Sequence, residues 1–122
     1  MKIKKVLFAA TALAVALSTS VVSFAAQDSI TYNADGPTVR ASIMTDGDWR
    51  VFSSLSSSSN CEMSIEGTVI DINSETYSLS AYDGSDTYIS STVETEGYVS
   101  YAIATFTANG VSKVLSIGHP NY

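Results

Sequence analysis

Apolar and polar residues alternate in short runs along most of this chain. In Val39-Arg40-Ala41-Ser42-Ile43 the odd positions are apolar and the even ones polar. Cys61 to Ile65, Tyr77 to Ala81 and Ile89 to Val93 repeat the pattern. A strand sends successive side chains to opposite faces, so each run predicts one buried and one solvated face. Beyond residue 25 no helical apolar period persists for three turns.

Turn signals punctuate these runs. Asp35-Gly36, Asp46-Gly47, Asp83-Gly84 and Asn109-Gly110 are Asx-Gly pairs, and Glu96-Gly97 is a weaker one. Glycine supplies the positive φ of a tight hairpin, and Asp or Asn tolerates it next best. The spacing predicts about eight strands, near 29–33, 38–45, 49–55, 61–72, 75–82, 87–95, 98–108 and 111–118. The serine-rich stretch Ser53–Asn60 reads as a loop or a frayed strand end. Within 61–72 the apolar phase shifts, which a bulge near Gly67 or Val69 would explain. The 98–108 strand is apolar on both faces and is the expected central strand. Short strands with regular turns predict an all-β fold, an antiparallel β-sandwich that is immunoglobulin-like in general architecture. A small barrel is the alternative.

The first residues follow another plan. Lys2, Lys4 and Lys5 precede an apolar run, Val6–Leu17, broken only by Thr11. Ser23 and Ala25 then occupy the −3 and −1 positions of a small-residue cleavage site. This is the layout of a secretory signal peptide, expected as a helix over residues 1–25 that is cleaved after Ala25. Residues 26–122 then form a single domain, secreted to the extracellular space or held at the cell wall. An uncleaved anchor is the competing reading, although Val6–Leu17 is short for a membrane span.

Composition sharpens this division. The whole chain has 122 residues, is 45% hydrophobic and carries a net charge of −6. Half of its six bases lie in the leader, so the remainder opposes Arg40, Arg50 and Lys113 to all 12 acids. Such a surface opposes binding to nucleic acid and to anionic membranes. It also keeps a β protein soluble, with Glu62, Glu66, Glu94 and Glu96 placed to discourage edge-to-edge pairing. Cys61 is the only cysteine, so no intramolecular disulfide forms and the fold relies on burial and sheet hydrogen bonds. Its apolar neighbours predict a small core residue, with pairing between chains as the alternative. Cysteine-poor export of this kind suits a bacterium.

Candidate chemistry is sparse. Asp46, Asp48, Asp83 and Asp86 place carboxylates in turns that a calcium ion could use, but neither segment has the spacing of an EF-hand loop. Turn chemistry explains them better. No G-x-S-x-G occurs, and His119, the only histidine, stands beside Pro120 near the chain end. No catalytic, cofactor-binding or metal-binding residue is assigned, and no enzymatic activity is expected. The aromatics carry more information. Trp49, Phe52, Tyr82, Tyr88, Tyr98 and Tyr101 cannot all face one core if alternation holds. Phe52 and Tyr82 are out of phase with their apolar neighbours. Exposed aromatics on a serine-rich sheet can stack on sugars or contact a protein, or can pair across strands to stabilise the sheet.

In composition the chain beyond residue 25 resembles the small, secreted, Ser/Thr/Tyr-rich β proteins of Gram-positive bacteria. In plan it is similar to exported bacteriocins of the lactococcin 972 type, signal-bearing and cysteine-poor β-sandwiches. The expected function is non-enzymatic binding of an extracellular glycan, cell-wall polymer or protein. The alternative is a secreted effector, bacteriocin-like or an inhibitor. A structural protein assembling through sheet edges is a third possibility. The sequence leaves ligand and oligomeric state open.

Overall fold

The computed structural model describes residues 27–45 and 49–118. The expected signal helix, the Asp46-Gly47 turn with Asp48, and His119 lie outside the described residues. Six strands make up the rest: β1 (Gln27–Asn33), β2 (Thr38–Thr45), β3 (Arg50–Asp71), β4 (Thr76–Glu94), β5 (Val99–Ala108) and β6 (Val111–Gly118). All pairings are antiparallel and join the strands in one sheet. Among the described residues no helix is long and apolar enough to cross a membrane.

The sheet is organised by one long hairpin. β3 runs for 22 residues and β4 for 19, paired nearly end to end. On its other edge β3 takes two partners in succession. Val51–Ser57 pairs with β2, and Met63–Asp71 pairs with β5. β1 continues beyond β2, and β6 beyond β5. The hairpin bends where these partners change. Between Ser56 and Cys61 the register against β4 shifts, and it shifts again between Cys61 and Met63. Surplus residues opposite a shorter partner bend and twist a strand, which turns one half of the sheet over the other.

The result is a folded sheet, nearly closed and barrel-like. Two seams draw it together. At one, Tyr32 Oη of β1 donates to Val111 O of β6 at 3.2 Å, and Asn109 Nδ2 donates to Ala34 O at 2.8 Å. At the other, β4 meets itself across the bend, Ser80 N donating to Ser91 Oγ at 3.0 Å. The enclosed core holds Val39, Ile43, Leu55, Ile65, Leu79 and Phe106, drawn from both halves. A smaller cluster of Tyr101, Ile103, Val114 and Ile70 lies on the opposite face of β5. β5 is therefore apolar on both sides and sits between β3 and β6, as its sequence predicts.

Several local expectations change. The fold is all-β and antiparallel as expected, but one continuous sheet replaces the separate sheets of the simplest sandwich. Strands expected at 49–55 and 61–72 are fused in β3, and those at 75–82 and 87–95 in β4. The serine stretch is strand, with hydroxyls that bond to the neighbouring strands. Ser53, fully buried, donates to Ser91 O at 3.0 Å, and Ser42 and Ser54 share a 2.9 Å bond. Asp83-Gly84 lies inside β4, where Asp83 Oδ1 accepts from Ser85 N at 3.0 Å. Against β4 the register runs unbroken through Gly67 and Val69, but against β5 it shifts between Ile70 and Asp71, close to where the phase change predicts a bulge. A Cβ on Gly67 would collide with the Ile103 carbonyl and Ala104, so this glycine allows close strand approach. The apolar shift at Ile70, beside that irregularity, feeds the second cluster. Asn109-Gly110 behaves as expected, with φ of 51° and 83° at the two-residue turn between β5 and β6.

Candidate functional site

One end of the molecule brings together the β3–β4 turn, the β4–β5 connection and the start of β3. Asp71 is its centre. It closes the inward-facing series Met63, Ile65 and Val69, and it is fully buried. Burying a carboxylate is costly unless donors surround it. Here four do. Oδ1 accepts from Asn73 N at 2.8 Å and Glu75 N at 3.0 Å. Oδ2 accepts from Tyr77 Oη at 2.9 Å and Gly97 N at 3.1 Å. Burial alone would push this carboxyl up. Hydrogen bonds from Glu75, Tyr77, Asn73 and Gly97 outweigh it and hold the carboxyl below the usual carboxylate range.

The contacts around Asp71 reinforce one another. The backbone N–H of Glu96 donates to Tyr77 Oη at 3.0 Å. That bond lowers the Tyr77 phenol, but desolvation and the Asp71 carboxylate together raise it above its ordinary value. Ser74 takes a positive φ of 66° to let its N–H reach Asp71 O at 2.9 Å. A Cβ on Gly97 would displace Asn73 Nδ2, 2.8 Å away, and crowd the Asp71 carboxylate at 3.2 Å. Thr95, also buried, donates through Oγ1 to Gly97 O at 2.6 Å. Its N–H donates to Trp49 O at 2.8 Å.

This framework presents aromatic residues to solvent. The Trp49 and Tyr98 rings pack with centroids 4.5 Å apart and planes tilted by 50°. They remain 46% and 50% exposed, and Ile72 beside them is 57% exposed. The Ile72 N–H donates to Tyr98 O at 2.9 Å, which fixes the two side by side. The rim is polar. Arg50 Nε lies 3.7 Å from Glu94 Oε2, and Asn73, Glu75 and Glu96 are exposed. The arrangement suits stacking and hydrogen bonding to a ligand.

The other aromatics are distributed differently. Phe52 is half-buried on the outer face of β3, not fully exposed as its phase suggests. Tyr82 is well exposed, and its Oη donates to Glu62 Oε2 at 2.8 Å. That bond raises the Tyr82 phenol. Tyr88 is exposed on the same strand beyond the bend, while Tyr101 is buried in the second cluster. Tyr82 and Tyr88 are thus separate side chains along β4, opposite Ser64 and Ser56. Trp49 and Tyr98 are the pair brought into ring contact, and the sequence gives them no common phase. Asp71 left one signal in the sequence, an acid on the inward phase of a strand.

The remaining candidates are structural in their surroundings. Cys61 is half-buried against the core, its Sγ 3.7 Å from Ser57 Oγ. Asp83 and Asp86 each accept a nearby backbone N–H, and no metal-binding group of side chains is present among the described residues. Comparison with protein-family models, curated proteins and solved structures finds no match.

Proposed function

We propose that this chain is a secreted, non-enzymatic recognition module whose contact surface is the Trp49–Tyr98 end. The supporting observation is the use of a buried, fully hydrogen-bonded carboxylate to hold an exposed aromatic pair in place. Exposed apolar side chains gathered on a rigid support are characteristic of a binding surface. Export rests on the sequence, with residues 1–25 as the cleaved signal peptide and the domain acting outside a bacterial cell. At finer grain the folded sheet reads as a two-layer sandwich. β1, β2 and the adjoining parts of β3 and β4 form one layer, and the rest of β3 and β4 with β5 and β6 form the other. The ligand class proposed is an extracellular glycan or cell-wall polymer. Retention of the purified protein on immobilised polysaccharides tests this. Wild type is expected to be retained and W49A/Y98A to elute freely with unchanged thermal unfolding. Equal behaviour of the two proteins on every polymer sinks the assignment of this surface.

A further inference from the structure

Resting on that recognition surface, we propose that its ligand is a glycan carrying free amino groups, a cationic amino-sugar polymer. Charge around the aromatic pair carries the argument. Thr95 is fastened to the Trp49 carbonyl, which brings its chain neighbours Glu94 and Glu96 to this end of the molecule. Glu75 belongs to the Asp71-bonded turn that also presents Ile72. All three acids are exposed. Arg50 is the one base at this end among the described residues, and it faces Glu94. The other two are placed elsewhere. Arg40 stands in β2 with its guanidinium 3.4 Å from Ser29 Oγ, and Lys113 lies 5.6 Å from the Tyr32 ring centroid.

An ammonium group gains twice at such a site. It is attracted by the face of an indole or phenol ring and by the carboxylates around it. A uronic, sulfated or phosphorylated polymer is repelled by the same acids. The shape of the surface favours sugar over peptide. Peptides dock by adding to a strand edge or by filling a groove. Trp49, Tyr98 and Ile72 instead lie exposed at turns and strand ends, the two rings packed against each other at a 50° tilt with their outer faces free. A pyranose ring can lay its C–H face flat on such rings without any backbone pairing, while its amines meet the rim.

Calorimetric titration with glucosamine oligomers and N-acetylglucosamine oligomers of equal length tests this. The backbone is shared and only the charge differs. The amine form is expected to bind about fivefold tighter at low salt, the sum of a few exposed charge contacts. That advantage should shrink at high salt. E96Q should narrow it, whereas W49A should weaken both ligands together. Equal or tighter binding of the acetylated oligomer overturns the charge preference and leaves the recognition surface standing. Oligolysine binding as tightly as the amine sugar overturns the glycan assignment. Binding of neither sugar by a normally folded protein overturns both proposals.

Discussion

Asp71 gathers four hydrogen bonds onto one buried carboxylate, whereas the seam between β1 and β6 is held by separate contacts: hydrogen bonds from Tyr32 and Asn109, and Lys113 over the Tyr32 ring. The first arrangement concentrates stability in a single ionised residue. Losing it leaves several donors without a partner. The second spreads stability over groups that fail one at a time. The pH dependence of the two regions is also opposite. The Asp71 carboxyl is held below its ordinary value, while burial and the nearby Cys61 push the Tyr32 phenol up to about 12. One region is weakened by acid and the other by strong base.

The largest expected effect is at Asp71. D71A should destabilise the protein by about 4 kcal/mol, because hydrogen bonds to a charged group are lost and buried donors are stranded. Urea unfolding measures this through the midpoint. A loss below about 1 kcal/mol would show that the donors find other partners. Next comes acid. A depressed carboxyl contributes fully above the ordinary value of 3.8, and its contribution is lost as pH falls through the folded value. Wild type should therefore lose stability below that ordinary value, and D71N should lack this part of the slope. Identical acid profiles would contradict the account of Asp71.

The seam gives smaller changes. N109G keeps a residue suited to the positive φ and removes the side-chain bonds to Ala34 O and Asp35 O, at a cost of about 1 kcal/mol. Y32F should cost a similar amount and should have a second signature. A phenol raised by burial contributes fully below its ordinary value of 10.0, and that contribution is lost as pH rises toward about 12. Absorbance titration of wild type should show a tyrosine ionising that late, and Y32F should lack it. Losses at N109G and Y32F that exceed the loss at D71A would reverse the comparison.

Much of the fold was legible because it follows local rules. The turns at Asp35-Gly36 and Asn109-Gly110 need positive φ and have the residues that supply it. The two-faced β5 announced an interior place through apolar residues in both phases, although the centre of the sheet is β3. The strand fusions were hidden because serine is ambiguous. It favours loops when its hydroxyl competes for the backbone, and it fits a strand when, as at Ser53, a neighbouring strand offers a carbonyl. Asp83-Gly84 misled for a related reason, since a turn-forming pair also fits a strand when no positive φ is demanded. At the candidate site, exposed aromatics and pairing among them were expected, but not that Trp49 and Tyr98 would be the partners. Trp49 and Tyr98 meet because Asp71 ties its own turn to Gly97, 26 residues away. No local pattern encodes that contact.

The doubled-over hairpin has a consequence for how the molecule matures. Antiparallel strands can zip from the turn outward, beginning at Ile70 and Thr76 and finishing with Arg50 and Glu94. Because the hairpin is bent back on itself, its first and last pairs arrive at the same end of the molecule. There the turn residues Asp71 and Tyr77 bond Gly97 and Glu96, which lie just past the last pair. The aromatic platform is therefore assembled only when the whole zipper has closed. A half-folded chain would display neither the rings in register nor the acids around them. On the proposed reading of this end as a contact surface, ligand affinity would therefore report complete folding.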